Sequence, residues 1–420
     1  MLKKRVLSGV ALFLLALVAA APSQAQNPCR INTAKVMNQI RNPIWDLKLL
    51  VAHRGLHARW NDPRYNQYIN TPENSLEAIW NAANACMEII EVDIRQTQDG
   101  VPILSHDASW GRETNVGYNW GSALYNAMTG VGPNPLVNSW SLKSVKKSST
   151  DNGLLLRTNA QPSTANGGNW EWSKWNENPP TLEEVINDMR NRQNPAVLAI
   201  DVKDRAALQN AWYVVAKTGF YNRAFFKVDV NMLPNAWEVD NFFGNLHYVT
   251  GNPNSPDSNY VKIMPVYNTA NIQPNNALGA GGGEDKVRQS AYSFYAGNKP
   301  WYMGQEVNIK QDNGILQATQ NDTVASYSSG SRAFFNPTRE YESGGKALFY
   351  NSDGRCCSEL TAYLFNGAPY GLQSDTADNR TDWNLFLHTQ TFNMITTDNV
   401  LWLNDELKRL GVRNMSRITD

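Results

Sequence analysis

The sequence predicts an α/β fold, a single barrel of parallel strands and helices with long insertions at the carboxyl end of the barrel. Residues 49–107 read as an apolar run, an amphipathic helix and two further apolar runs, which is a β-α-β-β order. Strands and helices alternate again from residue 180 to residue 410 without an internal repeat, which favours one barrel over a repeat array. The chemically reactive residues follow apolar runs, where the loops of parallel α/β folds converge.

The N-terminal segment has the pattern of an export signal. A basic start at residues 3–5 precedes an apolar run at 6–21 and a small-x-small cleavage pattern that ends at Ala25. We therefore expect a signal peptide at 1–25, a mature domain at 26–420, and export to the periplasm or the medium. No later segment reaches the roughly 18 apolar residues of a membrane span. The equal numbers of basic and acidic residues, 38 each, give no reason to expect nucleic acid as a partner.

Local patterns predict most of the elements. A short helix at 33–39 would close the bottom of the barrel, and the first strand is expected at 49–52. Thr71 and Pro72 predict a helix start, because threonine caps free N–H groups and proline suits the first turn. Thr181 with Glu184 predicts another helix start with a capping box. Further strands and helices are predicted at 196–202, 205–218, 224–228, 233–241, 261–266, 393–397 and 400–410, with weaker apolar spans around Tyr302 and Phe349.

Two long insertions interrupt this alternation, at about 108–180 and about 267–300. The first contains six of the fourteen tryptophans, which are Trp110, Trp120, Trp140, Trp170, Trp172 and Trp175. One interpretation is an ordered insertion with its own small core. The other is a wall of a substrate cleft, since aromatic rings supply contact area at a low cost in entropy.

The four cysteines, Cys29, Cys86, Cys356 and Cys357, make disulfides possible in an exported chain. The sequence alone does not choose among the pairings. We favour Cys29 with Cys86, because both are expected toward the N-terminal end of the strands.

Carboxylates and a lysine lie at the ends of two predicted strands. Glu91 and Asp93 are two residues apart, so both side chains face the same side of the sheet. Two carboxylates so close repel each other, and a hard divalent cation such as Ca²⁺ or Mg²⁺ would relieve the repulsion. Asp201 ends another strand and could supply a third carboxylate, while Lys203 on the same face offers a cation to an anionic group. Each pair alone is also typical of an ordinary ion-paired surface.

Two histidines flank the first carboxylate pair. His53 and His106 each follow an apolar run, and imidazole is the side chain that changes its charge near neutral pH. One such histidine alone would be more typical of a buried structural residue. Arg54 adds a planar guanidinium group, whose N–H donors suit phosphate oxygens. The whole set predicts metal-assisted phosphoryl transfer.

The ordered motifs resemble those of the glycerophosphodiester phosphodiesterase family, whose fold is a TIM (β/α)8 barrel. They are HRG at 53–55, PEN at 72–74, E-x-D at 91–93, DG at 99–100 and HD at 106–107, with PTLEE at 180–184, D-x-K at 201–203 and ITTD at 395–398. The resemblance implies hydrolysis of a glycerophosphodiester to glycerol phosphate and an alcohol.

The resemblance also implies roles for individual residues. They are the acid/base pair His53 and His106, the phosphate ligands Arg54 and Lys203, the bordering residue Glu73, and the Ca²⁺ or Mg²⁺ ligands Glu91, Asp93 and Asp201. Position 201 departs from the family, because Asp201 stands where glutamate is typical.

Two other functions remain open at this stage. A phospholipase of the related barrel type would act on lysolipid or sphingolipid head groups as a D-type enzyme, or on phosphoinositides as a C-type enzyme. A non-catalytic exported protein would bind a polyol phosphate or a glycan through its tryptophans. Comparing micellar lysolipid with soluble glycerophosphocholine separates the enzymes, and a metal-dependent assay on a generic phosphodiester tests the binding protein.

Overall fold

The computed structural model describes residues 29–58, 62–118, 123–146, 153–158, 177–244, 261–272, 284–297, 299–325, 330–336, 341–343, 346–348, 352–355, 375, 377–380, 383, 387 and 392–420. The predicted signal peptide at 1–25 and the adjacent Cys356 and Cys357 lie outside the described residues.

Strands and helices alternate through most of the described chain. The strands are β1 (Leu49–Ala52), β2 (Ile89–Gln96), β3 (Pro102–Leu104), β4 (Val197–Val202), β5 (Ala224–Asp229), β6 (Ile263–Tyr267), β7 (Gly304–Val307), β8 (Ser331–Asn336), β9 (Tyr341–Ser343), β10 (Lys346–Leu348) and β11 (Met394–Thr397). The α-helices are α1 (Thr33–Arg41), α2 (Leu76–Asn84), α3 (Leu142–Val145), α4 (Leu182–Asn191), α5 (Arg205–Lys217), α6 (Ala236–Phe243), α7 (Glu284–Ala296), α8 (Ile315–Ala325) and α9 (Val400–Arg409).

Eight parallel strands close into a barrel in the order β1-β2-β4-β5-β6-β7-β8-β11. The ring closes where β11 pairs with β1 and β1 pairs with β2, with Val51 opposite Ile89. This TIM barrel confirms the predicted fold class. The weak span around Tyr302 precedes β7. The weak span around Phe349 adjoins β10, which pairs with β9 outside the barrel, and the remaining barrel strand is β8. The sequence of β8, SRAFFN, has a short apolar run and therefore gives a weak pattern, and Phe349 itself lies outside the described residues.

The start of α2 differs from the prediction. Thr71 and Pro72 do not open the helix; Ser75 caps it and accepts a hydrogen bond from a first-turn N–H group. The reason lies in Asn74, which takes a left-handed φ of 54° and cannot continue a helix from Pro72. Its side chain instead binds both the backbone and the carboxylate of Asp93. The capping box predicted at Thr181 and Glu184 is confirmed.

The lower half of the barrel interior is apolar and is closed by α1, as predicted. Val36, Met37 and Ile40 of this helix are buried in one cluster with inward-facing residues of the barrel strands, such as Val51 and Phe225. The apolar core at this end supports the strands, while the upper positions of the same strands carry charged side chains. A second, larger apolar cluster lies between the strands and the outer helices.

The described part of the first insertion has a small core of its own. Trp110, Val116, Val137, Val145 and Leu154 are buried together, and Trp140 packs against them. For these two tryptophans the structure favours the interpretation of a separate core. The other four tryptophans of the insertion lie outside the described residues.

A disulfide joins Cys29 to Cys86, which confirms the favoured pairing. It ties the start of the described chain to the end of α2. Within the part of the chain that the structure describes, no helix has the length and apolar character needed to cross a membrane.

Candidate active site

Three predicted acids lie together at the carboxyl ends of neighbouring strands. Asp93 on β2 is level with Asp201 on β4, and Glu91 is one inward-facing position deeper. Oxygen atoms of these three carboxylates lie within 4.8 Å of one another. Glu91 and Asp93 are fully buried, so their charges are not solvated by water.

Basic groups surround the carboxylate of Asp93. Arg54 Nε lies 2.9 Å from its Oδ2, and Lys203 Nζ lies 2.7 Å from its Oδ1. Although burial raises the pKa of Asp93, Lys203 and Arg54 hold it well below the usual range. Lys203 also lies 3.2 Å from Asp201. Asp93 is therefore ionised and fixes the two cations that were predicted to bind phosphate.

Glu91 has the properties expected of a metal ligand. Its Oε2 accepts a hydrogen bond of 2.8 Å from the backbone N–H of Arg54, a residue with a positive φ of 55°. Its Oε1 is buried without a hydrogen-bond partner among the described residues. Burial and the neighbouring Asp93 raise the pKa of Glu91 well above the usual range. A hard divalent cation would supply the missing positive charge, and the all-oxygen donor set fits Ca²⁺ or Mg²⁺.

His53 is held by Asp398, which follows β11. Its Nδ1 lies 2.7 Å from Asp398 Oδ1, and His57 Nε2 lies 3.4 Å from the same oxygen. Burial lowers the pKa of His53, and Asp398 opposes this shift. His57 is buried beside the site.

His106 is held in the same way by its neighbour in sequence. Its Nδ1 lies 2.8 Å from Asp107 Oδ1, and its backbone N–H donates to Glu113 Oε1 at 3.0 Å. Burial and the nearby Arg54 lower the pKa of His106 to about 4. Because Nδ1 of each histidine is engaged by a carboxylate, Nε2 is the ring nitrogen left for a substrate.

A cavity of about 360 Å³ opens among these residues. The residues that line it at the ends of β1, β3 and β4 include His53, Arg54, His106, Asp201 and Lys203, and those that line it at the ends of β5, β6 and β7 include Asp229, Asn231, Met232, Asn268 and Asn308. Asp229 already accepts hydrogen bonds from the backbone N–H of Asn231 and the side-chain amide of Asn268, both at 2.7 Å. Burial raises the pKa of Asp229. Asn231, Asn268 and Asn308 together form an amide-rich wall of the cavity.

Sequence reasoning did not identify Lys227 as a site residue. It lies on β5 level with Asp201, is almost fully buried, and lines the cavity 3.6 Å from Asp201 and 3.1 Å from Glu306. Burial alone would lower the pKa of Lys227. The carboxylates of Glu306 and Asp201 outweigh this effect and raise the pKa above its usual value, so the ammonium group stays charged. A lysine within the otherwise apolar run AFFKVD was the available indication. Glu306 lines the same cavity.

Glu73 lies behind the cavity wall. Its Oε2 binds Arg54 Nη1 at 3.2 Å, and its Oε1 binds Arg112 Nη2 at 2.7 Å. Although burial raises the pKa of Glu73, Arg112 and Arg54 hold it well below the usual range. Its carboxylate thus faces two guanidinium groups of the protein.

The structure brings the other predicted site residues to one rim of the barrel. The histidines, Arg54, Lys203 and Asp201 line one cavity, and the two buried acids lie beneath it. A TIM barrel with this set of groups at its carboxyl rim has the architecture of a barrel phosphodiesterase.

A comparison with protein families matches somewhat less than half of the chain. Residues 53–237 match the family model of the glycerophosphoryl diester phosphodiesterase family, which confirms the resemblance predicted from the motifs. The family consists of phosphoric diester hydrolases, the enzyme class that the sequence predicted.

The chain is also similar to individual proteins and solved structures. The chain is 41% identical over 83 residues to "Uncharacterized protein y4eD" of Sinorhizobium fredii, a match that covers 20% of this chain and 19% of that one. The chain thus spans about a fifth of the length of this curated relative. A glycerophosphoryl diester phosphodiesterase from Parabacteroides distasonis has the same fold, with a TM-score of 0.51 and 13% identity over 91% of this chain and 94% of that one. A putative glycerophosphodiester phosphodiesterase from Galdieria sulphuraria aligns over 86% of this chain and 98% of that one, with a TM-score of 0.43 and 14% identity.

Proposed function

We propose that the protein is an exported, metal-dependent phosphodiesterase that hydrolyses glycerophosphodiesters to glycerol phosphate and an alcohol. One observation carries the proposal: two histidines, each with Nδ1 bound to a carboxylate, line the same cavity as Arg54 and Lys203. Acid/base groups next to phosphate-binding cations are what the cleavage of a phosphodiester requires.

The protein's own groups suffice for the proton transfers. Arg54 and Lys203, held in place by Asp93, bind the non-bridging phosphate oxygens. The Nε2 atom of one histidine takes the proton from the attacking oxygen, either of water or of a neighbouring substrate hydroxyl. As the bond from phosphorus to the leaving oxygen breaks, the other histidine donates a proton to that oxygen. The negative charge of the bound phosphodiester favours the protonated form that this second histidine needs.

Glu91, Asp93 and Asp201 would hold the divalent cation beneath the cavity. When bound, such an ion supplies positive charge that stabilises the phosphate in the transition state. Lys203 and Lys227 border this acid cluster, so the protein itself also places positive charge there.

The amide-rich wall of the cavity favours a substrate with hydroxyl groups. Amide side chains both donate and accept hydrogen bonds, and Oδ1 of Asn231 and Oδ1 of Asn308 are buried without a described partner. A hydroxyl group of glycerol or of a second polyol would complete these bonds. This supports a soluble glycerophosphodiester over a lipid with long acyl chains.

Export is supported by the sequence and by the disulfide. The pattern at 1–25 is typical of a signal peptide. A disulfide such as Cys29–Cys86 persists in oxidising compartments and is rare in the bacterial cytosol.

The test uses residues 26–420 with glycerophosphoglycerol and either Ca²⁺ or Mg²⁺. We expect release of glycerol phosphate, and we expect His53→Ala and His106→Ala each to lower turnover at least about a hundredfold. Near-normal turnover in either variant would remove that histidine from the mechanism. Turnover of micellar lysolipid with none of glycerophosphocholine would indicate a phospholipase instead, and no metal-dependent turnover of any phosphodiester would favour a binding protein.

A further inference from the structure

Arg112 lies at the start of the first insertion, and its guanidinium group joins three carboxylates. The side chain has no exposed surface. Its Nε lies 2.6 Å from Asp107 Oδ2, and its Nη2 lies 2.7 Å from Glu73 Oε1 and 3.1 Å from Glu113 Oε1. Arginine suits such a position, because its planar fork directs several donors at fixed angles.

Each of these carboxylates in turn holds a residue of the proposed site. Asp107 binds Nδ1 of His106, and Glu113 binds the backbone N–H of the same histidine. Glu73 binds Nη1 of Arg54 through the oxygen that does not contact Arg112. The guanidinium group of Arg112 is therefore connected through one carboxylate to His106, a proposed acid/base residue, and through another carboxylate to Arg54, a proposed phosphate ligand.

The same acids could otherwise be interpreted as a second cation site. His106, Asp107 and Glu113 have ligand atoms close enough to hold a metal ion. Arg112, however, already binds both Asp107 and Glu113. The positive charge that these acids require is therefore supplied by the protein, and a metal ion is not needed to explain the cluster.

We propose that Arg112 is a positioning residue that holds His106 and Arg54 in place for the reaction. This inference rests on the proposed function, because it acts through two residues of that site. Without the guanidinium group, three buried carboxylates would face one another and rearrange. A displacement of about 1 Å in a reacting group can cost about a hundredfold in rate. The first insertion would thus contribute a structural support for the catalytic groups.

The first experiment compares Arg112→Lys with a matched control. Lysine keeps the charge, but its compact ammonium cannot bridge three carboxylates. We expect kcat to fall about ten- to a hundredfold per folded molecule, with the folded fraction measured by circular dichroism. Arg157→Lys is the control, since Arg157 is also buried in the insertion but donates to the carbonyl groups of Gly111 and Thr114. We expect a comparable loss of thermal stability there and a change in kcat of less than about threefold.

A double-mutant cycle separates positioning from general destabilisation. If Arg112 acts partly through His106, the factor by which Arg112→Lys lowers kcat should be at least about threefold smaller in a His106→Ala background than in the wild type. An equal cost in both backgrounds, or an Arg112→Lys enzyme within about threefold of the wild type, overturns the inference. Failure of the proposed function would look different, because the wild type would then be inactive or His106→Ala would be fully active.

Discussion

Replacing Asp398 by asparagine tests how His53 works. The substitution keeps the shape of the side chain and removes one negative charge that lies 2.7 Å from Nδ1 of the histidine. Asp398 stabilises His53 most when the ring becomes positively charged during proton transfer. Opposite unit charges about 4 Å apart attract by about 4 kcal/mol at an effective dielectric constant of about 20. A loss of this size corresponds to about a thousandfold in rate, which sets the upper limit.

We therefore expect Asp398→Asn to lower kcat by about a hundred- to a thousandfold and to change KM by less than about threefold. The assay is steady-state release of glycerol phosphate with saturating divalent ion. Asp46→Asn is a matched control, because the side chains of Asp46 and Asp398 have the same exposed fraction of 8%. Asp46 precedes the first barrel strand and forms an ion pair with Arg417 instead of contacting a histidine. The account of His53 would be refuted if Asp398→Asn kept kcat within about threefold of the wild type, or if both variants lost it equally.

Three further predictions concern the metal, the pH dependence and the disulfide. A chelator should stop turnover, added Ca²⁺ or Mg²⁺ should restore it, and Glu91→Gln should raise the calorimetric Kd of the ion at least about tenfold; an unchanged Kd would exclude Glu91 as a ligand. Because the pKa of His106 is about 4 in the fold and 6.5 in the unfolded chain, the free energy of unfolding should fall by up to about 3 kcal/mol as the pH drops from 6.5 to 4. Burial also lowers the pKa of His53, so some loss should remain in His106→Gln. In urea titrations with chelator present, the loss should be smaller in His106→Gln than in the wild type by up to about 3 kcal/mol, and equal losses would contradict the assignment. Reducing Cys29–Cys86, which closes a loop with a sequence separation of 57, should lower the free energy of unfolding by about 4 kcal/mol, whereas Cys86→Ser should not respond to reductant.

The strand motifs predicted which acids lie close together, because parallel strands share a register. Glu91, Asp93 and Asp201 lie at the carboxyl ends of β2 and β4, so the fold alone places them side by side. Lys227 occupies the same level on the next strand and was missed. A single lysine in an apolar run does not show on its own which way it faces, and only the pairing of β5 with β4 reveals that it faces the cavity.

Residues that support the catalytic groups were harder to find from the sequence. Asp398 is 345 residues from His53, and nothing in the local pattern of either residue indicates their contact. The start of α2 was misplaced for a related reason. Thr71 and Pro72 have good propensities for a helix start. Asn74, however, has a left-handed backbone conformation, and its side chain binds Asp93. This tertiary contact determines where the helix begins.

The central claim is that the histidines, the basic groups and the acids form one phosphodiesterase site at one rim of the barrel. A crystal structure with Ca²⁺ and glycerol 3-phosphate tests it most directly. We expect the ion between Glu91, Asp93 and Asp201, and the phosphate between Arg54 and Lys203 with both histidines in hydrogen-bond reach. Both ligands bound away from this rim at full occupancy, with the rim residues unchanged, would contradict the claim.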